Sequence, residues 1–415
     1  MSEHNHLRTG ILIAFAVETL SVTWLLKIPG ITGLLSILYF IAGTTIAVLL
    51  LYAPTLQLPR PLAGGLRNPI NHSRMLVIGL MALMIYTLCG FWFDEIPLDI
   101  NYADMLPIIK VMASRFASGH WKNIYDPISE IWHGTQPIYL PSMWQPFTLA
   151  VILGIDMRWI TVLGVFFAFG LFLFIYRPDY RRYQSVFLGV LGFILFWWLF
   201  ADNTPGVITV SEEGVVIAYY ALLVLALLYD RIWLIGVAAS LCMLSRYALV
   251  GWLPAFFLYL LLTKRGKEAI VFSLTGLICL LFLFVFPVGW STFIRLLTLP
   301  GNYIQFAKIV WKDSPDVFST GVGFAGMFGP GRILLLHRLL ILFSFAVPLL
   351  FILFCYFRSR KRVLSNIPLA TLKISLVVFY SFIDVPYLYL FYTSSIVSLL
   401  AIAAWTSPRE TASGQ

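Results

Sequence analysis

Hydrophobic residues in this chain run on without the alternation of a half-buried strand or the one-sided spacing of a water-facing helix. Apolar stretches lie near Gly10–Ile28, Ile31–Ala53, Met75–Phe93, Trp159–Tyr176, Ser185–Phe200, Gly214–Tyr229, Ile232–Ser245, Ala248–Leu262, Ala269–Val288, Ile333–Phe357, Leu369–Ile383 and Leu388–Trp405. A helix needs about 20 apolar residues to cross a bilayer. The pattern therefore predicts an all-α polytopic membrane protein with about twelve transmembrane helices. Several stretches are short, as suits helices that tilt little or lie inside a bundle. A further one, Met143–Ile155, is shorter still and contains Pro146, so it is expected to be re-entrant or interfacial. Ala103–Ser118 reads differently. There Met105, Ile108, Ile109, Met112 and Phe116 share one helical face, Pro107 suits a first turn and Gly119 a C-terminal cap. This is an amphipathic helix, lying in the interface or packed as a lid on the bundle.

Composition agrees with the pattern. Hydrophobic residues make up 60% of the 415 and charged residues 11%, against about 45–50% and about 25% in soluble proteins. Such a chain has too little polar surface to coat a globule in water. The net charge of +9 does not imply nucleic acid, because the bases sit in short loops. With a cytoplasmic N-terminus and one crossing per stretch, Arg60, Arg67, Arg74, Arg177, Arg181, Arg182, Lys264, Arg265 and the cluster Arg358, Arg360, Lys361, Arg362 all face the cytoplasm. That arrangement obeys the positive-inside rule and fits a multi-pass protein of a bacterial inner (plasma) membrane. The chain divides into an N-terminal helix pair with a basic loop (1–74), a membrane module (75–405) and a cytoplasmic tail (406–415). Cys89, Cys242, Cys279 and Cys355 lie in apolar runs and the histidines are scattered, so no metal ligand set or disulfide is expected.

Two outer loops, 94–142 and 289–332, are long enough to carry function. The first holds Asp94, Glu95, Asp99, Asp104, Asp126 and Glu130. Acids just after a rigid helix suit a general base or a cation ligand, although outer loops also tolerate acids for topological reasons alone. The second carries Arg295, Lys308, Lys312 and Arg332 on the side where bases are rare. Arg246 sits between two apolar stretches and must be paired or face a polar cavity. Its fork of donors suits a phosphate, and the competing reading is an ion pair with Asp202, Glu212 or Glu213. Gly321, Gly323 and Gly326 match a dinucleotide fingerprint but follow no strand and open no βαβ unit, so close packing of a loop is the expected role.

The order Asp99-Ile-Asn-Tyr102, Gly119, Tyr125-Asp126, Tyr139-Leu-Pro141 and Pro146 resembles the GT-C glycosyltransferases, most closely glycosyltransferase family 87, the polyprenyl-phosphate-mannose-dependent mannosyltransferases. The similarity extends more weakly through Glu213-Gly214 and Leu244-Ser-Arg-Tyr247, over roughly residues 76–405. Tyr-Leu-Pro stands where that family has Tyr-Pro-Pro, and two additional helices precede the core. The resemblance implies a GT-C-like helix arrangement and an inverting transfer of mannose or a similar sugar. The donor would be a polyprenyl-phosphate sugar, the acceptor lipid- or glycan-linked, and the reaction extracytoplasmic. Asp99 matches the catalytic position, with Asp94 and Glu95 as a second acid pair. Arg246, Arg332 and Arg295 would meet the donor phosphate, while Tyr102, Tyr125, Tyr139 and Glu213 would contact sugar or acceptor. No cofactor is required; a divalent cation, Mg²⁺ or Mn²⁺, is compatible with the carboxylates. Membrane lipids are expected partners, nucleic acid is not. A secondary transporter or lipid flippase, or a polysaccharide polymerase or ligase, are the alternative readings. The topology predicts that a tag at residue 130 is reached by impermeant labels from outside intact cells and a tag at residue 360 only after lysis.

Overall fold

The computed structural model describes residues 2–28, 30–56, 72–100, 103–131, 134–176, 182–201, 206–298, 303–359 and 364–406. Among these, the only β-type pairing is a single bridge between Ile128 and Thr135; the rest of the regular structure is helical. α1 (Ser2–Ser21) and α2 (Thr32–Tyr52) form a hairpin, followed by α3 (His72–Glu95). The first long loop folds into α4 (Met105–Ala117), α5 (Pro141–Trp144) and α6 (Phe147–Leu153). Then come α7 (Arg158–Ile175), α8 (Tyr183–Ala201), α9 (Val207–Val210), α10 (Glu213–Tyr229), α11 (Ile232–Met243) and α12 (Trp252–Leu262). α13 (Gly266–Leu280) continues through a π turn into α14 (Phe286–Val288). The second loop forms α15 (Trp290–Thr298), α16 (Tyr303–Asp313), α17 (Val317–Thr320) and α18 (Ala325–Phe328), before α19 (Ile333–Ser359), α20 (Ile367–Phe382) and α21 (Tyr392–Thr406).

An apolar helix stands at each of the twelve expected stretches. Eight are long and apolar enough to cross a membrane, and α10, α11, α12 and α20 are shorter. The protein is thus a multi-pass membrane protein with an all-helical fold. Burial sorts the helices. Of the most apolar window, 83% is buried for α21 but only 11% for α3, so α21 is a core helix and α3 a peripheral one facing lipid. The short α10 and α20 are core helices too, with Tyr220, Ala221, Leu372 and Leu376 fully enclosed. Met143–Ile155 is not one span. It breaks into α5 and α6, and the seven residues of α6 rise only about 10 Å.

The connections gather at two ends. At one, Ser365 N–H donates to Leu51 O at 2.9 Å and Asn366 Nδ2 to Leu50 O at 3.1 Å, while Arg265 reaches Asp230 at 2.9 Å. At the opposite ends of α2 and α20, Thr32 Oγ1 donates to Ser319 O at 2.7 Å and Phe324 N–H to Ser381 O at 2.7 Å. This second end carries α4 and the second loop. α4 is a packed lid there: Leu106, Ile108, Ile109, Met112 and Ala113 are buried, and the helix lies on α5 and α6. Gly119, at φ +77, provides the left-handed stop.

Proline and glycine set two of the close contacts. Pro287 has no N–H to offer Leu283 four residues earlier, and Gln145 Nε2 donates to that carbonyl at 2.7 Å instead. α7 and α10 touch backbone to backbone: a Cβ on Gly164 would come within 2.2 Å of Gly214 O, and one on Gly214 within 2.0 Å of Thr161 O. Gly321 and Gly323 work the same way against the turn at Pro386, with Cβ distances of 1.7 Å to its carbonyl and 2.7 Å to its side chain. The glycine pattern in the second loop therefore serves packing. Gly164→Ala is expected to destabilise the protein by about 1–3 kcal/mol through overpacking, read as a lower melting temperature in detergent.

Candidate functional site

The site is built from short connections at the α4 end. α10 begins with Glu213, preceded by Glu212, at a helix amino terminus whose dipole favours carboxylates. Thr161 Oγ1 donates to Ser211 O at 2.8 Å, and Ser211 Oγ accepts from Glu213 N–H at 3.3 Å. With the Gly164–Gly214 contact, these bonds fix both glutamates against α7. Opposite them, the α11–α12 turn presents Arg246 in an extended conformation (φ −151, ψ 147), held at its N–H by Cys242 O at 2.9 Å. Ser142 N–H donates to Leu244 O at 3.0 Å and ties the first loop to the same turn.

Arg246 Nη2 lies 2.7 Å from Glu212 Oε1, and Nη1 lies 2.7 Å from Glu213 Oε2. The guanidinium carbon is 5.8 Å from the centre of the Tyr389 ring, at the outer limit of a cation–π contact. Burial works against the charge on Arg246, but the two carboxylates outweigh it and hold the group well above the ordinary arginine range. Glu213 Oε1 also accepts from Thr393 Oγ1 of α21. Glu212 Oε2 is buried and has no hydrogen-bond partner among the described residues. It is an acceptor that a hydroxyl donor would satisfy.

Asp104, at the amino end of α4, is half-buried on the same side. Burial raises its carboxyl above the ordinary value of 3.8, and the negative charge of Glu212 adds to the effect. Tyr139 is pushed up by burial and then by the charges of Asp104 and Glu212. In the α20–α21 turn Tyr387 stacks on Tyr389 with ring centres 5.5 Å apart, and the Tyr389 hydroxyl reaches Met105 Sδ of α4 at 3.1 Å. In that turn Asp384 Oδ2 lies 2.7 Å from His337 Nδ1 of α19.

The residues singled out from sequence are distributed unevenly. Arg246, Glu213 and Tyr139 come together. Tyr125 is fully buried and braces the loop: its hydroxyl donates to Tyr139 O at 2.9 Å and accepts from Trp144 Nε1 at 3.1 Å. Asp94 and Glu95 are exposed at the end of α3, where Arg158 clamps the helix by donating to Phe93 O at 3.0 Å and Ile96 O at 2.6 Å. Asp99 is half-buried in the turn before α4, its carbonyl accepting from Ala103 N–H at 3.2 Å. Arg295 is exposed on α15 and donates to Tyr125 O at 3.3 Å, Arg332 is exposed in the turn before α19, and Tyr102 lies outside the described residues. Asp104 of the first loop feels the charge of Glu212; the sequence offers it only as one of six acids there. Glu212 was legible only as a partner for Arg246; the signal for both glutamates was a pair of acids opening an apolar helix. Among the described residues no group of three or more His, Cys, Asp or Glu side chains is placed to hold a metal ion.

Comparison with protein-family models, with curated proteins and with solved structures returns no match. The class stands on the fold alone: a multi-pass helical membrane protein with a buried polar cluster at one end. Arg246→Ala leaves two carboxylates buried side by side and is expected to cost about 3–5 kcal/mol of stability. Adding Glu212→Gln should recover part of that loss in thermal unfolding.

Proposed function

We propose that the polar cluster is the active site of a glycosyltransferase that moves a sugar from a polyprenyl-phosphate donor to a lipid- or glycan-linked acceptor on the extracytoplasmic side. The observation that carries this reading is the meeting of Glu212, Glu213 and Arg246 under Tyr389, whose hydroxyl reaches Met105 Sδ next to Asp104, at one end of an apolar bundle. The resemblance of the first loop to the GT-C enzymes supports it. A lipid-borne donor suits a site flanked by lipid-facing helices, since its chain remains in the bilayer while the head enters the cluster.

In this scheme an acceptor hydroxyl attacks the anomeric carbon, its proton passes to a carboxylate, the bond from sugar to phosphate oxygen breaks, and lipid phosphate leaves. Asp104 is the assigned base. Its half-burial raises its proton affinity towards that of a useful acceptor, and it adjoins Glu212. Arg246 pairs with Glu212 and Glu213 and orients them to meet sugar hydroxyls. With that guanidinium committed to two carboxylates, the leaving phosphate is assigned to Arg295 and Arg332. A second reading, a proton-coupled transporter, draws on the ion pair buried deep in the bundle between Glu18 and Lys373.

Purified protein incubated with radiolabelled polyprenyl-phosphate sugars and membrane lipid should yield a labelled product. Asp104→Asn should lower turnover about 10²–10⁴-fold with donor binding retained. In the wild type the rate should fall on the acid side along a limb above the usual carboxylate range, because the base must be ionised and burial raises its pKa. Loss of turnover in Asp99→Asn but not in Asp104→Asn reassigns the base to Asp99. Substrate uptake into sealed vesicles without any labelled product selects the transporter.

A further inference from the structure

The second loop opens on α15, whose polar and apolar residues separate into two halves. At about 100° per residue, Trp290, Phe293, Ile294, Leu296 and Leu297 share one side of the helix, while Ser291 and Arg295 stand on the other. The bundle covers only one flank of the apolar side. There Leu296 is buried, and Phe293 packs edge-on against the buried Phe284 of the π turn with ring centres 5.2 Å apart. On the other flank Trp290, Ile294 and Leu297 are 60%, 55% and 53% exposed. Ser291 and Arg295 are exposed as well, so the helix turns an uncovered apolar strip one way and a polar strip the other.

α15 also continues a lipid-facing surface. The helical stretch Gly266–Val288 is long and apolar enough to cross a membrane, and only 22% of its most apolar window is buried. Its exposed residues Ile270, Leu274, Ile278, Phe282 and Phe286 recur at every fourth position, and the series runs on through Trp290 and Ile294. Gly289, at φ +83, interrupts the helix between the two parts. Three large apolar side chains held in water would forgo the gain from burial. At the boundary between acyl chains and headgroups they regain it, and an indole such as that of Trp290 favours that depth.

We propose that α15 lies in the surface of the leaflet bordering the α4 end, with Trp290, Ile294 and Leu297 among phospholipid acyl chains and Ser291 and Arg295 at headgroup level. That placement ties the membrane surface to the first loop, since Arg295 donates to Tyr125 O at 3.3 Å and the Tyr125 hydroxyl donates to Tyr139 O at 2.9 Å. The proposal does not rest on sugar transfer. Full-length protein is prepared with a spin-labelled keto amino acid in place of Ser291, Ile294 or Leu297. It is reconstituted at one copy per nanodisc of phosphatidylcholine and phosphatidylglycerol. Power-saturation spectroscopy then compares collisions with oxygen, which concentrates in lipid, and with a water-soluble nickel chelate. Oxygen should dominate at 294 and 297, and nickel at 291. All three side chains are exposed, so the labels leave the core intact. In the same nanodiscs, Ile294→Ser/Leu297→Ser should raise amide hydrogen exchange across 290–298 by about tenfold or more, with exchange in α10 unchanged. Nickel dominating at 294 puts that strip in water, and exclusion of both reagents from 294 puts protein over it. Either outcome, or unchanged exchange in the double variant, overturns the proposal.

Discussion

The structure depends on a buried row of alternating charge. Glu212 and Glu213 flank Arg246, each 2.7 Å from it. Glu213 accepts from Thr393, and the next residue of α21, Ser394, accepts through its Oγ from Lys373 Nζ at 2.7 Å. Lys373 in turn meets Glu18 at 2.5 Å, whose second oxygen accepts from Ser398 at 2.8 Å. α1, α10, α20, α21 and the α11–α12 turn are thereby joined by contacts that tolerate little displacement. Ions cost several kcal/mol each to bury, and only close pairing with further hydrogen bonds offsets that cost. Van der Waals packing between apolar helices in lipid specifies register weakly, because lipid tails are as apolar as leucine. The charge row supplies the missing specificity: slipping one core helix by a turn would strand a charge in hydrocarbon.

Around that row, prolines and glycines impose backbone constraints of their own. Pro287 removes a donor, and Gln145 Nε2 replaces it at the Leu283 carbonyl. Glycines stand where backbones meet, at Gly164 with Gly214 and at Gly321 with Pro386. Both contacts bear on the polar cluster. The first seats Glu212 and Glu213, and the second seats the turn that carries Asp384, Tyr387 and Tyr389. Arg115 completes the set by donating to Asp126 O at 2.6 Å and Asn123 O at 3.0 Å, which ties down the segment that leads to Tyr139.

The electrostatics of the cluster explain why its members divide their roles in the proposed reaction. Two carboxyl groups face one guanidinium, and Asp104 brings a third acid to the same end. Such a site favours hydroxyl donors over a bare anion, and its acids compete for protons, which keeps Asp104 easier to protonate than an exposed aspartate. Phosphate recognition is then better served by cations nearer the solvent. The exposed bases of the second loop meet that description.

Much of this architecture was legible along the chain. Uninterrupted apolar runs are sufficient to call membrane helices, because every backbone polar group in hydrocarbon must be satisfied within the helix; the period of Met105, Ile108, Ile109 and Met112 likewise called α4. Arg246 announced itself as a charge with nowhere exposed to go. What the chain could not say is which acid it meets, since Asp202, Glu212 and Glu213 are all in reach by sequence; Asp202 lies outside the described residues, and packing of α7 against α10 brings the other two to Arg246. For the same reason Asp99 and Asp104 look alike as letters. They differ because one lies in the turn before α4 and the other at the helix start beside Glu212, a distinction made by the tertiary fold. Local pattern determines which segments are helices and which face lipid; contacts between residues far apart in sequence determine which charges become neighbours, and a charge buried in a membrane takes its character from its neighbours.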